Sequence, residues 1–596
     1  MDLQIKTMTQ QDYMVVLLGY ERIYGFEGGG LERVAKEVSE YNFHSVLETA
    51  SKISLRLFAG GFGSKDNQIQ LVKDIFAKDP DVRQRIVKAI KAIAEKDKVP
   101  VWAIFAEQPL LCLFKVALLH APKVGGKLVY EADVQKVGHW LLILNDLCMG
   151  SELIHSIQLS PQADREYLRE YVTRQYFFMA RERMPYRVAR FKNIFEKIGT
   201  LHPTFHIDQK FLEATNGAKL DDYLSFCFFL MVNWVNKTTR TVDVTKEWIV
   251  CKKKYFEQTT LSMDDIDSVL PLLLLDVDDY PTKYTQVVTD LLKGSDIFPF
   301  NFLQLRQRPL IPFNEDCFVC PSPELLMDKA TDGIYWILEN HFKSTGKKKE
   351  RDLLPTAWGD GFEEYVHDRL SGAFTADYYK NPAMSNGEEI ADGLVYGEKH
   401  LFFVETKYAH WSYKAKLTGR KEDMLPTLNQ IFSSAKKTKG LGQITKNIKK
   451  METGSITLPK PLETRKIVSV LVVGEGMPMD AFNRKMYEEL ASTAGAFYES
   501  SNILPFVVLD AEEVEVLEAI ALDKGAKEAE RILADYSMLF RNRNELGLVR
   551  EAMQFKNYLH AINYPTVNNP SLFVLFDKVH KTAVKKGFKK ADDKKS

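Results

Sequence analysis

Apolar residues recur at spacings of three and four through most of the first 340 positions, the period of helices that bury one face. In "DPDVRQRIVKAIKAIAEKDK" the residues Val82, Ile86, Ile90 and Ile93 form one stripe, Asp79 is placed to cap, and Pro80 suits a first turn. The same texture runs through "KVALLHA", "WLLILNDL" and "GIYWILENHF" without a fixed repeat period. Past about position 350 the pattern changes. "EEIADGLVYGEKHLFFVETKY", "RKIVSVLVVGEG" and "ILPFVVLD" read as strands with helical stretches between them, which is the alternation of an α/β domain. Between the two textures, "STGKKKERDLLPTAWGDGF" (344–362) mixes a charge run with Gly and Pro and reads as an exposed linker. From about Ala511 the chain returns to helix and ends in a lysine-rich tail. The expected organisation is a multidomain chain: a mainly helical recognition or regulatory region at 1–350, an α/β domain at 351–510 and a helical extension at 511–596.

Composition narrows the function classes. At 596 residues, 45% of them hydrophobic, the chain exceeds what one core usually serves and is not of a disordered type. Lys plus Arg and Asp plus Glu both number 80, so attraction to nucleic acid must come from local clustering. The longest apolar stretches, Tyr223 to Val235 and Val269 to Leu275, fall short of the roughly 20 residues that span a bilayer, so no membrane partner is expected. Six cysteines and no signal-like opening lead to the expectation of a reducing, cytoplasmic location.

The chemistry concentrates in "ADGLVYGEKHLFFVETK", two β-rich runs around a Gly-containing turn. A hairpin loop of two or four residues makes opposed position numbers sum to 797, so Asp392 faces Glu405. Opposed residues share a face with Cβ atoms about 4.5 to 5.5 Å apart, and Lys407 returns to that face because strands alternate with period two. Two neighbouring carboxylates repel unless a cation neutralises them. Magnesium suits such a pair, with water and substrate phosphate oxygens completing its shell, and a lysine beside it can stabilise developing charge or orient a water. Against this stands the plainer reading of a solvated strand end, a turn-forming Asp392 and a surface Glu363.

These residues resemble the PD-(D/E)XK nuclease superfamily. Asp392 followed by Gly393 is similar to its strand aspartate, and "VETK" to its (D/E)-x-K element at Glu405 and Lys407. Upstream, "GDGFEEYVHDRL" resembles the first core helix, with Glu363 as the helix carboxylate; downstream, "KGLGQITKNIKK" resembles the following helix, with Gln443 near the active site. The proline that often precedes the aspartate is replaced by Ala391, and Glu364, Glu388 and Glu389 are competing carboxylates. The resemblance implies a restriction-endonuclease-like domain with a mixed central sheet. It also implies a metal-dependent phosphodiesterase, a DNA endonuclease of the kind found in bacterial restriction and anti-phage defence. Glu363, Asp392 and Glu405 would hold Mg2+, with Mn2+ as the alternative ion, while Asp392, Glu405, Lys407 and Gln443 would form the catalytic set. A protein of a different class, a silent nucleic-acid-binding scaffold on a nuclease-like core, would have lost one of these residues.

Local charge fits a phosphate-rich partner. Between Thr406 and Lys450 eleven Lys or Arg residues outnumber Glu422 and Asp423, interleaved with Tyr408, His410, Trp411 and Tyr413. Lys414, Lys416, Arg420, Lys436, Lys437 and Lys446 are the expected phosphate contacts, with the aromatic faces available for stacking on bases. The helical N-terminal region is the expected docking surface for a protein partner or a second copy. Weaker signals are set aside. "CFVC" (317–320) lacks the second half of a zinc site and reads as loop or core cysteines, "GGFGSK" lacks phosphate-loop spacing, "DVDD" lacks the rest of a calcium loop, and Ser433 with Lys436 lacks companion motifs.

Overall fold

The computed structural model describes residues 16–584 apart from 61–63, 93–101, 131–132, 150–162, 178–183, 239–248, 258, 292–297, 385–386, 434–439, 480, 494, 496–501, 540–553, 566 and 568. The N-terminal region is helical, as its apolar period predicts. Helices Phe43–Gly60, Glu107–His120 and Val134–Met149 enclose a core that includes Leu57, Leu113 and Trp140. Asp79 caps helix Pro80–Ala92 by accepting from the backbone N–H of Val82 at 3.0 Å. Among the described residues no helix is long and apolar enough to cross a membrane.

Five strands form the C-terminal sheet: β1 (Tyr378–Lys380), β2 (Gly393–Tyr396), β3 (His400–Lys407), β4 (Lys466–Val473) and β5 (Val507–Asp510). They lie in the order β5-β4-β3-β2-β1, with β3, β4 and β5 mutually parallel and β1 and β2 antiparallel to their neighbours, so the sheet is mixed. Its inner strands read as unbroken apolar runs because helices cover both faces. Leu394, Leu401, Phe403 and Leu471 face one layer with Ile444 and Ile448, while Val395, Phe402, Val404 and Val470 face the other with Trp358 and Val514. We label the helices used below α1 (Lys348–Phe374), α2 (Leu441–Glu452), α3 (Ala511–Lys524) and α4 (Ala526–Leu539).

Two expectations are corrected. Residues 348–362 are no linker, because they form the first half of the 27-residue α1, and Leu354, Ala357, Trp358 and Phe362 are buried in a core shared with helix Met184–Leu201. Pro355 is tolerated inside α1 because it lies on the exposed side, where the carbonyl it leaves unpaired is within reach of water. Likewise Cys317 is neither a loop nor a core thiol. It opposes Cys251 in an antiparallel pair, Cα atoms 4.1 Å apart, and the two are joined in a disulfide. Cys320, three residues on, is a buried free thiol, so the Cys-x-x-Cys spacing carries no zinc site.

The β2–β3 turn is pinned from α4. Glu530 accepts from the backbone N–H groups of Glu398, Lys399 and His400 at 2.7, 2.8 and 2.9 Å and pairs with His400 Nδ1 at 2.9 Å. Gly397 leaves room for this approach, since a Cβ there would sit 2.3 Å from the Glu530 carboxyl carbon. Burial pushes the Glu530 carboxyl up, but the hydrogen bonds from His400 and the turn outweigh it and hold the carboxyl below its usual range. A depressed carboxylate contributes stability above its unfolded pKa and loses it as pH falls through the folded value. Glu530→Gln is therefore expected to lower the denaturant midpoint clearly at pH 7, with the gap to the unsubstituted protein closing below about pH 4. Equal midpoints at pH 7 would show that the turn does not depend on this charge.

Candidate active site

The hairpin ladder pairs Gly393 with Val404, Leu394 with Phe403, Val395 with Phe402 and Tyr396 with Leu401, the register expected from the sequence. One step further, Asp392 and Glu405 come together at the strand exit. Asp392 Oδ2 accepts from the backbone N–H of Thr406 at 2.6 Å, which turns its carboxylate across the end of β3. Lys407 Nζ lies 2.6 Å from Glu405 Oε1 and 3.7 Å from Asp392 Oδ2, and donates to the Thr406 carbonyl at 2.9 Å. Period-two alternation thus delivers Glu405 and Lys407 to one side of the sheet, opposite an aspartate from the neighbouring strand.

Burial makes this an uncomfortable set of charges. Asp392 is 5% exposed and Glu405 0%. The Glu405 carboxyl is pushed up to about 8, first by burial and then by the negative charge of Asp392, with Lys407 opposing. Asp392 is raised by burial, to which the charge of Glu363 adds, against the pull of Lys407 and the Thr406 N–H. Burial would lower the Lys407 ammonium, yet the attraction of Glu405, Asp392 and Glu363 leaves it raised. Lys407 meets Glu405 as an ion pair at Oε1, and no other donor among the described residues reaches either oxygen of that buried carboxylate.

The remaining carboxylates sort by their partners. Glu364 pairs with Lys380 and Glu388 with Lys450, which removes both as competitors. Glu389, exposed at the rim, is close enough for its charge to help raise Glu405. Glu363 projects from α1 and acts on Asp392 and Lys407 through its charge, while its Oε1 lies 3.3 Å from His367 Nε2. Among the described residues no three His, Cys, Asp or Glu side chains converge into a closed ligand cage, so Glu363, Asp392 and Glu405 do not form one. An open pair suits magnesium better than a cage, since that ion takes one or two carboxylates and fills the rest of its shell with water and phosphate oxygens. The two carboxyl groups, paired among the described residues with Lys407 alone, could hold a hard cation, with Glu363 as the third carboxylate in electrostatic reach.

Among the described residues no hydrogen bond joins Gln443 to Lys407, whose partners are Thr406, Asp392 and Glu405. Gln443 lies in the first turn of α2, and its side chain makes no hydrogen bond among the described residues. Asn447, one turn later on the same face, is the residue the sequence reading missed. It is buried and donates to the carbonyls of Ile390 at 2.8 Å and Glu389 at 3.3 Å, fixing the chain that enters Asp392. An amide four residues after Gln443 was the available signal.

The basic run is only partly free to meet phosphate. Lys414 pairs with Asp423 at 2.8 Å and Lys416 with Glu475, whereas Arg420 and Lys446 are exposed; Lys436 and Lys437 lie outside the described residues. The interleaved aromatics do not offer stacking faces. Trp411 is 1% exposed and packs beside Phe177, His410 sits 4.0 Å from Tyr335 ring to ring, and the Tyr413 hydroxyl donates to Asn301 Oδ1 at 3.1 Å. Tyr408, next to Lys407, points through the opposite face into a cavity of about 100 Å³, where its hydroxyl bonds Asp332. Arg187 bridges Asp332 and Asp328 across that cavity, so the Tyr408 hydroxyl ties the strand exit to an aspartate that is itself held by an ion pair. No family model, curated protein or solved structure matches this chain.

Proposed function

We propose that this protein is a divalent-metal-dependent phosphodiesterase that cleaves nucleic acid, with DNA as the expected substrate. The observation that carries the reading is the meeting of Asp392, Glu405 and Lys407 at one strand exit, two buried carboxyl groups sharing a single lysine, so that one of them is held towards its protonated form. Asp392 and Glu405 would hold the ion. Magnesium in that position supplies Lewis-acid polarisation of a phosphoryl oxygen. Lys407, which lies beside both carboxylates, would turn to a water or to a non-bridging phosphate oxygen once a cation takes over its role as counter-charge. Exposed Lys446 and Arg420 would receive flanking phosphates, a sequence-independent contribution that weakens with salt.

The test is incubation of the full chain with plasmid, single-stranded DNA and RNA in the presence of magnesium, manganese or EDTA. Cleavage that EDTA abolishes and either ion restores is expected. Cleavage unaffected by EDTA would remove the metal from the reading, and binding without cleavage in every condition would place the protein among nucleic-acid-binding scaffolds.

A further inference from the structure

We propose that His367 and Tyr378 form a hydrogen-bonded relay that positions Glu363 towards the Asp392–Glu405 pair. The inference rests on the metal-site reading above and extends it to two residues outside the carboxylate and lysine set. Glu363 and His367 are four apart on α1 and therefore share a face. His367 is 3% exposed, with its Nε2 3.3 Å from Glu363 Oε1 and its Nδ1 hydrogen-bonded to the Tyr378 hydroxyl. Tyr378 opens β1, opposite Val395, so the relay runs from the sheet edge through the imidazole to the helix carboxylate.

Hydrogen positions follow from the donor inventory. A phenol is protonated at neutral pH and can donate, so a neutral imidazole accepts at Nδ1 and carries its proton on Nε2. That proton points at the Glu363 carboxylate. An imidazolium would present the same donor at Nε2, so the contact does not depend on which form is present. A glutamate side chain otherwise samples many rotamers, and the bond from His367 removes that freedom in advance of any ligand. Gly393 belongs to the same device. A Cβ on Gly393 would stand 2.8 Å from the Tyr378 hydroxyl, so a side chain immediately after Asp392 would displace the tyrosine from His367. In this sequence the glycine next to the aspartate makes room for the relay rather than serving only the strand.

The relay predicts weaker metal binding, not loss of fold, when it is broken. Manganese affinity of the full-length protein, measured by calorimetry without nucleic acid, is expected to fall about 10-fold in His367→Ala, the lower end of the range for outer-shell residues of metal sites, since Glu363 acts on the pair through its charge. His367→Gln, whose amide N–H can stand in for Nε2–H, is expected to recover most of that loss, and Tyr378→Phe to lose severalfold. Circular dichroism and thermal melting identify any variant that fails to fold, and the Gln and Phe variants carry the comparison if Ala does not. Unchanged manganese affinity in folded His367→Ala and Tyr378→Phe, alongside weakened affinity in Glu363→Gln, would overturn the relay while leaving the metal site standing. A protein that binds manganese through the relay yet cuts no nucleic acid would instead remove the nuclease reading and keep the relay. Absence of any manganese binding would overturn both.

Discussion

Asp392→Asn is expected to abolish the metal response of the protein and to leave its metal-free fold as stable as before, or more so. The asparagine keeps an oxygen to accept from the Thr406 N–H, so the local geometry persists. What disappears is the buried charge of Asp392, which is part of what raises the Glu405 carboxyl. Removing it relieves the repulsion, and a gain in stability on losing a buried charge is what a site that trades stability for metal binding would give. Cleavage should fall by about 10²- to 10³-fold or more, the scale of losing a preorganised electrostatic contact to the transition state. Lys407→Ala should lose cleavage on the same scale but with the opposite effect on stability. It strips the counter-charge from two buried carboxylates and so should lower the melting temperature when no metal is present. Melting curves of the two variants with and without magnesium, beside plasmid cleavage, give opposite signs for one site. Wild-type cleavage in either variant would end the assignment, and a large fall in stability for Asp392→Asn would mean the aspartate is a structural residue.

The hairpin was legible because its physics is short-range. A turn of even length, two apolar runs and period-two alternation fix which residues oppose, and the observed pairs follow that rule along the whole ladder. Residues whose environment is set by distant segments were not legible. The charged start of α1, with Gly and Pro inside it, looks like a linker until Trp358 and Phe362 find a core built partly from helix Met184–Leu201. Tyr408, Trp411 and Tyr413 follow a strand and sit among lysines, a pattern shared by surface binding segments and by chain that dives into an interior. Only the tertiary partners Asp332, Phe177 and Asn301 separate the two cases. The disulfide between Cys251 and Cys317 depends on a strand pairing across 66 residues that neither spacing nor composition reveals. Within the site, Asp392, Glu405 and Lys407 follow from local register, whereas His367, Tyr378 and Asn447 need the sheet edge and two helices in place.

Arg190→Met is expected to lower stability by about 3 to 5 kcal/mol. Arg190 projects from helix Met184–Leu201, and its guanidinium meets Glu515 of α3 through two bonds, Nε to Oε1 at 2.5 Å and Nη2 to Oε2 at 2.9 Å. Both side chains are nearly inaccessible, at 3% and 2% exposure. Tyr365 of α1 donates to the same Glu515 oxygen at 2.6 Å, and Arg369 of α1 pairs with Glu518 of α3 at 3.1 Å, so three helices share one buried ionic layer. The cost of the substitution lies mainly in the partner, since Glu515 would stay buried without its guanidinium, with the Tyr365 hydroxyl as its remaining hydrogen-bond donor and Arg369 as the nearby cation. Arg190→Met combined with Glu515→Gln removes that stranded charge while keeping an acceptor for Tyr365, and should recover more than half of the loss. Denaturant midpoints of the two single variants and the double close the cycle, and strong non-additivity is the signature of the pair. A loss below about 1 kcal/mol in the Arg190 variant would mean that the layer is not buried in solution. The layer also bears on the site, because α1 carries Glu363 two residues before Tyr365. A chain folded without the Arg190 clamp should therefore also bind magnesium more weakly, which links the helical N-terminal region to the carboxylate pocket by a measurement independent of cleavage.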